Sequence, residues 1–164
     1  MLNQSLLSCA LRGGVAGGLA AVGMTAAMLA MHRCLPARQR YELPPEQIVD
    51  EMLERADLEN QLTDRQFEAL TMLAHHGYGT SMGAVYGMVE PHCRSAPPVV
   101  SGMSFGFVVW ALSYLGWLPA MGMDANATRE PLQRNAMTVV SHLIWGGTTG
   151  LLTAASQTAP RANR

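Results

Sequence analysis

Two long apolar runs carry the same residues at the same spacing: Thr71, His75, Tyr78, Gly79 and Gly83 in one, Thr138, His142, Trp145, Gly146 and Gly150 in the other. Apart from the aromatics these recur every four positions, so on a helix each set forms one slowly drifting stripe. Small residues on such a stripe let helices approach closely in lipid, and a histidine on it should face protein rather than acyl chains. The pattern points to helices that pack through glycine inside a membrane.

Four runs are long enough to cross ~30 Å of hydrocarbon. They place spans at about 13–32, 67–89, 98–121 and 132–156, with a polar connector at 33–66 and a short tail at 157–164, all in one membrane domain. Arg12 precedes the first run and His32-Arg33 follows it, with Pro36 beyond as a stop signal. A cleaved secretory signal is disfavoured by the lack of a basic leader and the excess of glycine. This span is small on two adjacent faces, Gly13-Gly17-Ala21-Thr25 and Gly14-Gly18-Val22-Ala26. That exceeds what one intramolecular contact requires, so it points to self-association or to other membrane subunits as partners.

In the connector, Pro44-Pro45 opens a stretch in which Ile48, Val49, Met52, Leu53 and Ala56 recur at helical spacing among Glu46, Asp50, Glu51, Glu54 and Arg55. This predicts a short amphipathic helix lying along the membrane surface or over the span ends. Thr63-Asp64-Arg65-Gln66 then reads as a capping box that starts the second span. Pro131 reads as the first residue of the fourth span.

The repeat extends to the preceding spans. Gly13-x3-Gly17 leads to Leu35-Pro36, and Gly102-x3-Gly106 leads to Leu118-Pro119. The unit is a two-span hairpin used twice in the same orientation, with His75 and His142 expected at similar depth and the second and fourth spans facing each other. The connector and the 122–134 loop hold seven arginines (33, 38, 40, 55, 65, 129, 134) and the other side holds four (12, 94, 161, 164). The positive-inside rule then puts the connector in the cytoplasm.

The basic and acidic totals, 11 and 12, nearly balance, and no polybasic tract occurs, so nucleic acid is not an expected partner. Cys9, Cys34 and Cys93 lack zinc-type spacing, and apart from Glu68 at the entry of the second span no Asp, Glu or Cys lies within the spans to complete a site for a bare metal with the histidines. No nucleophile elbow, phosphate loop or paired carboxylate points to an enzyme, and Asp57, Glu59, Asp64 and Glu68 read as a solvated acidic face. Asn126-Ala127-Thr128 matches a glycosylation sequon, a pattern that arises often by chance.

Three uses for the histidines follow. They fix helix register by bonding to Thr71, Thr138, Ser141 or a backbone carbonyl. As two imidazoles at matched depth on opposed helices, His75 and His142 hold a b-type haem, with Tyr78 and Trp145 flanking it. Alternatively they serve a proton-linked path for a small solute.

Leu73-Ala74-His75 through Gly79 to Tyr86-Gly87, Gly102-x3-Gly106 leading to Trp110, Gly116-Trp117-Leu118-Pro119, and His142-x2-Trp145-Gly146 together resemble the YagU-like inner-membrane proteins of bacteria, a family of unknown function. The likeness covers most of residues 13–155. It implies a multi-span protein of the cytoplasmic membrane and carries over no catalytic residue. The expected architecture is an all-α, four-helix integral membrane bundle of two tandem hairpins, with Gly13, Gly17, Gly79, Gly83, Gly102, Gly106, Gly146 and Gly150 as its packing residues. The expected role is a non-enzymatic accessory subunit or self-associating bundle without a cofactor, the alternatives being haem b electron transfer and solute transport.

Overall fold

A computed structural model describes residues 2–92 and 96–158. Cys93, Arg94, Arg161 and Arg164, which enter the cysteine and charge arguments above, lie outside the described residues. Among those described the structure is helical with no strand. Helix α1 spans Leu2–Arg33, α2 Pro44–Arg55, α3 Asp64–Val89, α4 Pro98–Ala111, α5 Leu118–Ala120 and α6 Leu132–Thr158. α1 starts well before Gly13, because no glycine or proline interrupts the residues that precede it.

The connector helix forms where its periodicity places it. Pro44 and Pro45 open α2, the Leu43 amide donates to Glu46 Oε2 at 2.9 Å, and Val49 and Leu53 are buried. The capping box before α3 forms too, the Thr63 amide donating to Gln66 Oε1 at 2.9 Å. Pro131 stands just outside α6 rather than as its first residue, its carbonyl accepting from the Asn135 amide at 3.0 Å.

The expected third span is not uniform. A π-helical turn, Leu112–Trp117, joins α4 to α5. Pro119 has no N–H to offer the preceding turn, and its ring crowds the carbonyl there. Widening the turn relieves this, with the Leu118 amide bonding back to Ser113 O. The Tyr114 carbonyl, which Leu118 would otherwise use, instead accepts from the Ala127 amide of the next loop at 3.0 Å.

The helices form two hairpins, α1 with α3 and α4 with α6, and each crosses on glycine. A Cβ on Gly17 would stand 2.7 Å from Gly83 Cα, and one on Gly13 2.7 Å from Gly87 Cα. In the other hairpin a Cβ on Gly106 would lie 3.1 Å from Gly146 Cα, and one on Gly102 3.1 Å from Gly150 Cα. No side chain fits between such backbones.

These crossings correct the expected register. Gly83 occupies the place of Gly146, and Gly87 that of Gly150, so the position equivalent to His142 is Gly79 and that equivalent to His75 is Thr138. The two histidines are thus staggered by four residues, ~6 Å along a helix. A helix with glycines at 79, 83 and 87 can cross its partner at any of them, and the backbone fit selects a pair that the histidine spacing does not reveal.

The hairpins meet unequally. α1 packs along α6, where the Trp145 indole donates to Gly17 O at 3.0 Å, and Ala20, Ala21, Met24, Val109 and Trp145 share one core. The counterpart seam between α3 and α4 is thin, bridged by Tyr78 Oη to Ser113 Oγ and Tyr86 Oη to Ser101 Oγ, each at 2.9 Å. α3 and α6 therefore stand across the bundle from each other, as the repeat implied, and flank a space.

The first small face of α1 is used within the chain, and the second only in part. Gly13 and Gly17 meet the backbone of α3, while Gly14 and Gly18 meet Thr80 and Ala84 of the same helix. Val22 and Ala26, which complete the second face, are exposed. α1 from Ser5 and the α4–α5 segment Pro98–Ala120 are the two described helices long and apolar enough to cross a membrane. α3 and α6 are 26 and 27 residues long but carry more polar groups.

Candidate functional site

The thin seam opens into a cavity of about 250 Å³. α1 contributes Ala21 and Met24, α3 contributes His75 and Tyr78, the α4 end and π turn contribute Ser113 and Tyr114, and α6 contributes Thr138 and His142. Ile48, Val49 and Met52 of α2 close the connector end. No Asp, Glu, Lys or Arg lines it. Met52, Ala74, Tyr78 and Trp117 are the lining residues most open to the surroundings, and they mark a mouth between α2, α3 and the π turn.

The unequal hairpins explain the space. Trp110 of α4 fills its own crossing and donates to Thr138 Oγ1 at 3.0 Å. The crossing register puts Ala21 where Trp110 stands and His75 where Thr138 stands. No indole fills the first hairpin there, and Ala21 and His75 become cavity wall.

His142 is 7% exposed, and its Nδ1 donates to the Thr138 carbonyl at 2.8 Å. A carbonyl can only accept, so the proton of the neutral ring sits on Nδ1 and Nε2 is left as an acceptor. Tyr114 packs edge-on against this ring at 5.7 Å between centroids. His75 Nε2 is buried without a partner, as is Thr71 Oγ1 four residues earlier on α3. The structure therefore brings both histidines to one cavity at different depths, and neither bonds to the opposite helix. Of the remaining packing residues, Gly79 lies against Ala21 and Trp145, and Gly150 against Pro98 and Tyr86.

A second feature holds α2 over the cavity. Arg134 is fully buried at the start of α6 and donates to Glu130 Oε2 at 2.8 Å, Gln39 O at 3.0 Å, Tyr41 O at 3.2 Å and Glu42 O at 2.7 Å. Its guanidinium lies 3.7 Å from the Tyr41 ring centre, and Tyr41 Oη donates to Glu130 Oε2 at 2.5 Å. Burial of the phenol, then its bond to Glu130, push Tyr41 up to about 12. At the other end of α2, Glu51 Oε1 accepts the Asp124 amide at 2.7 Å and Arg55 donates to Met121 O at 2.8 Å. The connector helix is clamped to the 121–134 loop from both ends.

A family model described as a protein of unknown function, DUF1440, matches residues 23–151. The chain belongs to the DUF1440 family. No curated protein and no solved structure matches it. The matched stretch contains α2, both cavity histidines, the π turn and the Arg134 cluster, and of the cavity lining only Ala21 lies outside it.

Sequence reasoning counted Arg134 only as a loop charge. Glu130-x3-Arg134 at a helix start is an i,i+4 acid–base pair in the favourable order, the signal that could have found it. Its backbone partners at 39–42 come from the far end of the connector and left no local mark. Asn126 of the sequon is buried, its amide bonded to Met123 O and its Oδ1 accepting from Thr128 N at 3.1 Å, so it serves as a turn residue.

Proposed function

We propose that this DUF1440 protein is a four-span integral protein of the bacterial cytoplasmic membrane, built from two tandem hairpins and allied to the YagU-like proteins. Its role in this reading is non-enzymatic binding: it holds a small neutral molecule within the membrane and serves as an accessory protein to other membrane components. The observation that carries it is a cavity at the one unsealed seam of a bundle whose outward faces are apolar. Leu11, Val15 and Leu19 of α1, Leu73 and Val85 of α3, Phe107 and Leu115 of the third span, and Val140 and Leu151 of α6 are all exposed. An apolar girdle on every long helix fits acyl chains rather than water. The arginine balance keeps α2 and the connector on the cytoplasmic side in this reading.

The haem alternative is weakened by geometry. Two axial imidazoles must reach one iron from opposite faces, whereas His75 and His142 are offset by a turn. The cavity also falls below the ~300–1,000 Å³ that encloses drug-sized ligands, and a tetrapyrrole is larger. The proton-linked path keeps the two histidines as its support, without a carboxylate beside them in the cavity.

Native mass spectrometry of protein released from nanodiscs tests the binding reading. Wild type is expected to carry a small-molecule adduct that Ala74→Trp, which obstructs the mouth, loses. No adduct, or equal adducts on both, would overturn it. An absorption spectrum before and after dithionite tests the haem alternative on the same samples.

A further inference from the structure

We propose that the cavity binds the reduced, hydroquinone head group of an isoprenoid quinone, with the tail leaving through the mouth between α2, α3 and the π turn. This rests on the binding reading above and identifies its ligand.

Four observations converge. The walls carry no charge, so a phosphate-bearing or ionic head group is excluded by the desolvation it would suffer. Tyr114, Trp145, Tyr78 and four methionines line the space, a surround that favours a flat, polarizable ring. The volume of about 250 Å³ takes one substituted ring and not a whole lipid, and the mouth at Met52, Ala74, Tyr78 and Trp117 is rimmed by exposed apolar side chains past which a long apolar tail can leave. The decisive point is the hydrogen-bonding demand. His142 offers only an acceptor at Nε2, because its Nδ1 proton is committed to Thr138 O. The ligand must bring a donor there, which a hydroquinone does and a quinone does not. The proposal is one of binding and includes no electron transfer.

The test measures, anaerobically, binding of tritiated decyl-hydroquinone to protein in nanodiscs against empty nanodiscs, with the matching quinone, the hydroquinone dimethyl ether and decylbenzene as competitors. Preference for the hydroquinone by at least tenfold over the quinone and the ether is expected. His142→Ala should remove that preference, and His142→Gln, whose carbonyl oxygen can accept the same bond, should restore part of it. Ala74→Trp, at the mouth and away from the glycine crossings, should abolish binding of every probe while the protein stays folded. Equal affinity for hydroquinone, ether and decylbenzene, all lost in Ala74→Trp, would overturn the head-group assignment and leave the cavity reading standing. No probe binding above empty nanodiscs, or binding indifferent to Ala74→Trp, would overturn both.

Discussion

Replacing Arg134 by Met should be among the most damaging substitutions outside the glycine crossings. Methionine keeps much of the volume, so the loss is electrostatic rather than a cavity. The guanidinium is 0% exposed as a residue and satisfies one carboxylate and three carbonyls. Its loss strands the Glu130 carboxylate, whose side chain is 7% exposed and keeps only the Tyr41 hydroxyl. Removing one member of a buried pair costs about 3–5 kcal/mol. The carbonyls at 39–42 lie in a loop that can turn to water, so we take that range as the expected loss. It corresponds to at least roughly a hundredfold in the unfolding equilibrium. Reversible unfolding in mixed micelles, followed by tryptophan fluorescence, reads it directly. The double variant Arg134→Met/Glu130→Gln strands no charge and should recover part of the loss. An Arg134→Met protein within about 1 kcal/mol of wild type, or a double variant less stable than the single, would refute the claim that a stranded carboxylate sets the penalty.

Gly17→Ala and Gly106→Ala should each loosen their hairpin, since a Cβ at either meets the partner's backbone, whereas Gly77→Ala has nothing within 4 Å and should be neutral or stabilising by up to about 1 kcal/mol; thermal denaturation in one detergent ranks all three. Tyr41 titrates higher in the folded protein than its ordinary 10.0, so its contribution is complete below pH 10 and is lost as pH rises towards about 12. An alkaline unfolding curve should show that loss in wild type and not in Tyr41→Phe. Single cysteines at Gln61 and Thr128 should react with an impermeant maleimide from one side of the membrane and one at Ser5 from the other; labelling of Gln61 and Thr128 from opposite sides would exclude two tandem hairpins.

Much of the fold was legible because hydropathy and local chemistry act over a few residues. The amphipathic period of Ile48, Val49, Met52 and Leu53 marked α2, and Thr63 and Gln66 marked the start of α3. The pairing of consecutive long helices followed from their glycines. What was not legible depended on three-dimensional choice. Equal spacing made His75 and His142 look equivalent, but helices cross where backbones fit, and Gly79, Gly83 and Gly87 offered several registers. The π turn required weighing Pro119 against the carbonyls of the preceding turn and the far-off Ala127 amide. The cavity arose from a difference between hairpins, Ala21 against Trp110, which only the correct register exposes.

That difference bears on how such a bundle can change. Two hairpins that cross in the same way share two seams, and either one suffices to hold them together. Here α1 and α6 supply the hold, with Trp145 anchored on the Gly17 carbonyl. The seam between α3 and α4 is thereby released from that duty, and residues along it can be traded large for small without the molecule coming apart. A repeated hairpin of this kind carries a spare joint, and the spare joint is the place where a packing protein has room to acquire a cargo.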